Sequence, residues 1–144
     1  MSWNFPEREV LAQIKCDVVF STDEDEYDSY EGFEVITNKR RIRIGVSTGQ
    51  SCCEVTGYFT SEDDPKTFIG KRLMSVAVVD DLLNKEQIET IEYLDQGGVM
   101  FVNFETEDGT LQFVCYNNHN GYYGHEAIVH VSGVEGDNSH SEYI

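Results

Sequence analysis

The chain has 144 residues, 40% hydrophobic, 12% aromatic and 26% charged, an ordinary globular composition with enough length for one buried core. Ten Lys and Arg stand against 27 Asp and Glu, a formal net charge of −17. That excludes direct binding to nucleic acid or an anionic membrane, since both need a basic surface to meet phosphate. No apolar run approaches the ~18 residues of a spanning helix, and Met1-Ser2-Trp3-Asn4 does not open a signal peptide, so a soluble cytoplasmic domain is expected.

In chain order, Pro6 to Ala12 is expected to form one or two helical turns, because proline suits the start of a helix. Ile14, Cys16, Val18 and Phe20 then alternate, which predicts a strand. The stretch Asp23-Glu24-Asp25-Glu26-Tyr27-Asp28-Ser29-Tyr30-Glu31 follows. Its carboxylates repel one another, so it reads as a solvated insertion over 21–31. Phe33 to Ile36 and Arg41 to Val46 predict a hairpin turning at Thr37-Asn38-Lys39, with Ile42, Ile44 and Val46 on one face. Lys39-Arg40-Arg41 and Arg43 form the single basic run, expected to neutralise the acidic insertion.

Asp63 to Gly70 reads as a short helix or turn, and Lys71 to Val79 as a strand. Leu82 to Leu94 fits helix and strand equally. Val99 to Thr106 and Thr110 to Tyr116 predict a hairpin around Glu107-Asp108-Gly109, Asp-Gly being a favoured two-residue turn. Gly124 to Val131 is a further expected strand. The expected fold class is therefore mainly β (α+β): a single antiparallel twisted sheet or open barrel with one or two short helices. It forms one globular domain over residues 1–131, followed by a flexible tail over 132–144.

Cys16 and Cys115 are expected in the core as small hydrophobes. Adjacent Cys52 and Cys53 disfavour a mutual disulfide, and the spacings match no zinc motif. His125 and His130, five apart on one strand, face opposite sides. No phosphate loop or hydrolase signature is present, so no catalytic residue, metal or cofactor is assigned. A thiol enzyme or metal site joining Cys52 or Cys53 to the histidines requires a convergence that spacing does not show.

Two binding readings remain. No Lys or Arg follows Lys85, so the second half is charged only by acids. Besides conferring solubility, such a field suits a host protein with a basic surface, engaged through Asp23, Glu24, Asp25, Glu26, Tyr27, Asp28, Tyr30, Glu31, Glu105, Glu107 and Asp108. The alternative is a small ligand such as a signalling nucleotide, held by Asn117, Asn118, Asn120, Tyr122 and Tyr123. Its phosphate would have to be met by Arg40, Arg41, Arg43, Lys71 or Arg72.

Gln50-Ser51-Cys52-Cys53-Glu54, Phe68-Ile69-Gly70-Lys71-Arg72-Leu73-Met74-Ser75-Val76 and Asn120-Gly121-Tyr122-Tyr123-Gly124 occur in that order. In this the chain resembles, over roughly residues 32–131, a small bacteriophage and prophage domain family with a Cys-Cys-Glu strand and an Asn-Gly-Tyr-Tyr hairpin. The resemblance transfers no activity and no catalytic residue. It implies a phage protein acting in the host cytoplasm, and by analogy an inhibitor of a host defence system such as an anti-CRISPR protein. The N-terminal extension and the 21–31 insertion depart from the family pattern, which makes them the expected place for a specialised role.

Overall fold

The computed structural model describes residues 2–21, 29–48, 54–79, 98–119, 126–133 and 136–144. The strands are β1 (Ser2–Asn4), β2 (Leu11–Ser21), β3 (Ser29–Thr37), β4 (Arg40–Ser47), β5 (Glu54–Thr60), β6 (Leu73–Val79), β7 (Gly98–Thr106), β8 (Gly109–His119), β9 (Glu126–Gly133) and β10 (Gly136–Tyr143). A 3-10 turn, Pro65–Phe68, separates β5 from β6. Every pairing is antiparallel, so the mainly-β antiparallel class expected from the alternation is the one that forms. No helix among the described residues is long and apolar enough to cross a membrane.

The strands divide between two five-stranded sheets, in the orders β1-β6-β7-β8-β5 and β10-β9-β4-β3-β2, rather than joining in one sheet or open barrel. The reason is packing. Alternation gives each sheet one apolar face, and each such face must be covered. Ile42, Ile44 and Val35 of one sheet share a core with Val76, Phe104, Leu111 and Phe113 of the other. Phe33 bridges them, 4.8 Å from the Phe113 ring and 5.1 Å from the Tyr58 ring.

The β3–β4 hairpin forms as expected. Thr37 Oγ1 accepts from the Lys39 and Arg40 backbone N–H groups at 3.1 and 2.9 Å, which satisfies the turn and leaves Ile42 and Ile44 facing the core. The β7–β8 hairpin also forms, with its turn one residue earlier than expected. Thr106 pairs with Gly109, so Glu107-Asp108 are the central residues. Gly109 takes the positive φ, +125°, at the first position of the returning strand, as a glycine tolerates.

Three segments differ from the sequence expectation. Pro6 to Ala12 is not helical: Val10 makes a bridge to Arg72, and Leu11 already belongs to β2. Hydrogen bonds from Leu73 N to Glu9 O and from Leu11 N to Lys71 O, 2.8 and 3.0 Å, stretch this stretch along β6. Periodicity within a short segment cannot register such a distant partner. The C-terminal residues expected to fray form β10, paired with β9 from Gly136↔Gly133 to Tyr143↔Glu126. Ile144 beyond it is 6% exposed and belongs to the shared core.

The third difference lies in β2. Its register shifts at Leu11/Gln13 and again at Cys16/Val18. The second bulge inserts Asp17, φ 56°, the one non-glycine with positive φ among the described residues. An extra residue moves every later side chain to the opposite face. Ile14 therefore reaches the shared core, whereas Phe20 joins Tyr30 and Ile128 in a small cluster on the outside of the sheet. Cys16, expected in the core, is exposed on this edge strand. Leu82 to Leu94 lies outside the described residues.

Candidate functional site

Tyr58 sits on β5 opposite Cys115, and its ring packs edge-on against Phe33. This carries the hydroxyl to the rim between the sheets. There it lies 2.6 Å from Asp17 Oδ1 and 2.8 Å from Glu31 Oε1. A phenol has one proton, so it is shared between two carboxylates. Burial first, and then the hydrogen bonds to Asp17 and Glu31, push the Tyr58 pKa far above its ordinary value. Tyr58 is consequently a neutral donor at physiological pH. The β2 bulge creates the site by turning Asp17 toward β5, at the cost of a backbone conformation that L-residues rarely adopt.

Beside this triad lies an open groove of about 210 Å³, lined by Glu31, Val46, Ser47, Thr48, Thr56, Gly57 and Tyr58. Ser29 and Thr48 hydroxyls close its end at 2.6 Å. The 3-10 turn approaches the same rim. Burial raises the pKa of the exposed Cys16 thiol, and Asp17 and Asp64 add to that while Lys66 opposes it. Asp17, Glu31 and Asp64 thus form an acidic rim, with Cys16 a poor nucleophile within it.

The expected docking residues separate into three groups. Asp23, Glu24, Asp25, Glu26, Tyr27 and Asp28 lie outside the described residues. The flanking residues Ser21 and Ser29 are register partners at the end of β2 and β3. Glu31 is exposed and part of the rim. Tyr30, whose residue type among acids suits either docking or packing onto the domain, is 3% exposed. It stacks on Phe20 at 5.6 Å and donates to Glu126 Oε1 at 3.0 Å. Gly45 makes room for this, since a Cβ there would lie 2.9 Å from the Phe20 ring. Tyr30 is structural.

Glu105, Glu107 and Asp108 cluster at the far β7–β8 turn. Glu105 accepts from Thr110 Oγ1 at 2.7 Å, Glu107 from the Arg72 backbone N–H at 3.1 Å, and Asp108 pairs with Lys71. Gly109 lies six positions along β8 from Cys115, the partner of Tyr58, or ~20 Å at the rise of a strand. The structure does not bring this group to the Tyr58 rim.

Of the ligand residues, Asn117 is fully buried and donates from Nδ2 to Ile144 O at 3.1 Å. It lies within β8 and faces the core, and so offers nothing to a surface ligand. Asn118 is on β8, opposite Val55; Asn120, Tyr122 and Tyr123 lie outside the described residues, as do Cys52, Cys53 and His125. Cys115 is buried, which drives its thiol pKa to about 12. No three His, Cys, Asp or Glu side chains converge as a metal site among the described residues.

The acids Asp23 to Asp28, which the basic run is expected to neutralise, lie outside the described residues; among the described ones the run pairs with other carboxylates. Lys39 pairs with Glu7 at 2.6 Å and Arg40 with Glu9 at 2.8 Å. Arg41 and Arg43 reach Glu34 at 3.5 and 3.1 Å, where Lys15 joins them at 3.6 Å. Successive residues of a strand point to opposite faces, so Arg40 turns to Glu9 while Arg41 and Arg43, two apart on one face, share Glu34.

His130 stands opposite Arg43 and is 8% exposed, its Nδ1 lacking a partner among the described residues. Burial lowers its pKa, Asp137 opposes this, and Arg43 reinforces it. The unfolded chain, at an ordinary value of 6.5, then binds the proton more readily than the folded one. Stability is expected to be full above that pH and to fall as the pH drops through it toward the lower folded-state value. Urea melts at about pH 7.5 and 5.5 check this, with His130→Gln expected to flatten the difference; an unchanged slope in the variant refutes it.

No sequence pattern links positions 17, 31 and 58. An Asp interrupting an alternating strand was the single available sign of the bulge.

A two-sheet antiparallel β domain with an acidic, tyrosine-centred rim is what the fold and site define. A family model described as a domain of unknown function, DUF7448, matches residues 10–129, and the chain belongs to that family. No curated protein and no solved structure matches the chain.

Proposed function

We propose that this protein is a non-enzymatic interaction protein whose acidic rim docks on the basic, nucleic-acid-binding surface of a host protein. In its finer form the reading makes it a phage-encoded inhibitor of a host defence system, as the resemblance implies. One observation carries the docking reading. Tyr58 is held between the Asp17 and Glu31 carboxylates at 2.6 and 2.8 Å, beside an open groove lined by Glu31 and Tyr58. Asp17 and Glu31, from different strands, thereby meet at one rim of a chain of net charge −17. Tyr58, already held by two carboxylates, adds contact area with little further loss of entropy.

Such a surface works by steering, and its attraction decays over a Debye length. Affinity purification from host cells, followed by mass spectrometry, is expected to recover a nucleic-acid-binding protein at low ionic strength. Its affinity is expected to fall about tenfold or more as salt rises severalfold, and nucleic acid is expected to compete. Glu31→Lys is expected to weaken the same complex with only a small fall in the thermal midpoint, since Glu31 is exposed and Tyr58 keeps Asp17 as an acceptor. Salt-insensitive capture, or a complex indifferent to Glu31→Lys, overturns the proposal.

A further inference from the structure

At the opposite end of β3 from the docking rim lies a second cavity, of about 330 Å³, lined by Asn4, Phe5, Pro6, Glu7, Glu9, Lys39 and Arg40. Ser29 and Thr37 mark the two ends of that strand, eight residue steps or ~26 Å apart. The two sites are therefore separate. Five of the lining residues precede the family match at 10–129. They belong to the N-terminal extension, and Lys39 and Arg40 come from the β3–β4 turn.

The extension is tied down as a wall. Phe5 N donates to Met74 O at 2.9 Å, Leu73 N to Glu9 O at 2.8 Å, and Asn38 N to Val10 O at 3.2 Å. Val10 N in return donates to Asn38 Oδ1 at 2.9 Å. Against this wall, Arg40 is fixed from two sides. Its Nε donates to both Glu9 oxygens at 3.0 and 2.8 Å, and its guanidinium carbon stands 4.1 Å from the Phe5 ring centroid. Glu9 is itself held by the Thr37 hydroxyl, which donates to Oε2 at 2.9 Å. Phe5 is 4% exposed and anchored in the shared core.

These contacts use the Nε side and one face of the guanidinium. The two Nη groups make no hydrogen bond to a described residue, and neither is sealed from solvent. The end of a planar fork is thus left over, its orientation already settled. That is the geometry that receives the two oxygens of a carboxylate or phosphate in parallel hydrogen bonds. Lys39 lines the same cavity, its ammonium held by Glu7, whose side chain is 83% exposed and free to yield it. Preorganised donors lose little freedom on binding, and the volume lies within the range of small-molecule sites. Glu7 and Glu9 each already balance one cation, which limits the site to a single small anionic group and disfavours a polyphosphate.

The geometry points to a binding site for a small oxyanion-bearing molecule, carboxylate or phosphate, gripped by the Nη groups of Arg40 and assisted by Lys39.

Inorganic phosphate and succinate are the probes, titrated at millimolar concentration into the full chain and followed by calorimetry and by amide shifts of residues 4–10 and 37–41. Saturable binding of at least one probe is expected, with shifts confined to those residues; the probe that binds tells phosphate from carboxylate. Arg40→Lys keeps a cation beside Glu9 but removes the fork, and is expected to weaken binding about tenfold or more, as loss of charge-assisted hydrogen bonds does. Lys39→Gln leaves the Arg40–Glu9 pair in place and is expected to weaken it severalfold, which keeps the test open should Arg40→Lys fold poorly. Absence of saturable binding by both probes overturns the inference, and so does binding unaffected by Lys39→Gln or shifts spread over the surface. Because the Glu31 rim is not involved, either result leaves the docking proposal to its own experiment.

Discussion

Arg40→Ala is expected to lower the unfolding free energy by about 3–5 kcal/mol, the loss typical of stripping one partner from a buried ion pair. Glu9 is 1% exposed, and its carboxylate takes hydrogen bonds from Arg40 Nε and the Thr37 hydroxyl alone among the described residues. Truncating Arg40 leaves that charge in the interior with one neutral donor. It also removes the cation from the Phe5 ring. A urea titration is expected to show a lower midpoint at constant m value, with the thermal midpoint down by roughly 10 °C or more. Glu9→Met combined with Arg40→Met is expected to recover most of the loss, since an apolar pair carries no desolvation penalty. A loss below about 1 kcal/mol for Arg40→Ala would mean that the pair is effectively solvated.

Phe113→Ala is expected to cost about 3–5 kcal/mol, the range for emptying a buried aromatic site. Phe113 is fully buried on β8. Its ring contacts Phe104 within its own sheet and Phe33 in the other, both at 4.8 Å between centroids. Edge-to-face pairs of this kind add to the area buried. Phe113 therefore joins the two sheets, and Phe33 would lose its main support with it. Phe33 also positions Tyr58, so amide shifts at the acidic rim are expected to accompany the loss of stability. Chemical denaturation measures the first effect and an amide correlation spectrum the second. A stable variant with an unperturbed rim would show that the sheets are held together elsewhere.

The strands were legible wherever one face is apolar and the pairing is local. Ile42, Ile44 and Val46 alternate because that face of β4 is buried against the other sheet. Glu107-Asp108-Gly109 marks a hairpin because only a few residue types tolerate its tight backbone. The alternation in β2 was present in the sequence but carried the wrong meaning. Ile14 and Phe20 look alike in period, yet the bulge at Asp17 sends them to opposite faces. Tyr30 reads as a docking aromatic among acids until Gly45 is seen to give Phe20, on which Tyr30 stacks, room against the sheet.

The sites were less legible than the strands. The acidity of the chain and of its 23–31 segment could be read directly, and so could the absence of a catalytic motif. Which carboxylates stand together could not. Asp17, Glu31 and Tyr58 meet from three strands and two sheets. Glu9 and Arg40 meet across the β2–β3 pair and the turn that follows it. Composition and short-range period thus determined the fold class, the hairpins and the sign of the field. Partnership between distant residues was left to the tertiary structure. A strand's face is a local property of period two, whereas a bulge, a register and the choice of counter-ion depend on what packs against it from elsewhere in the chain.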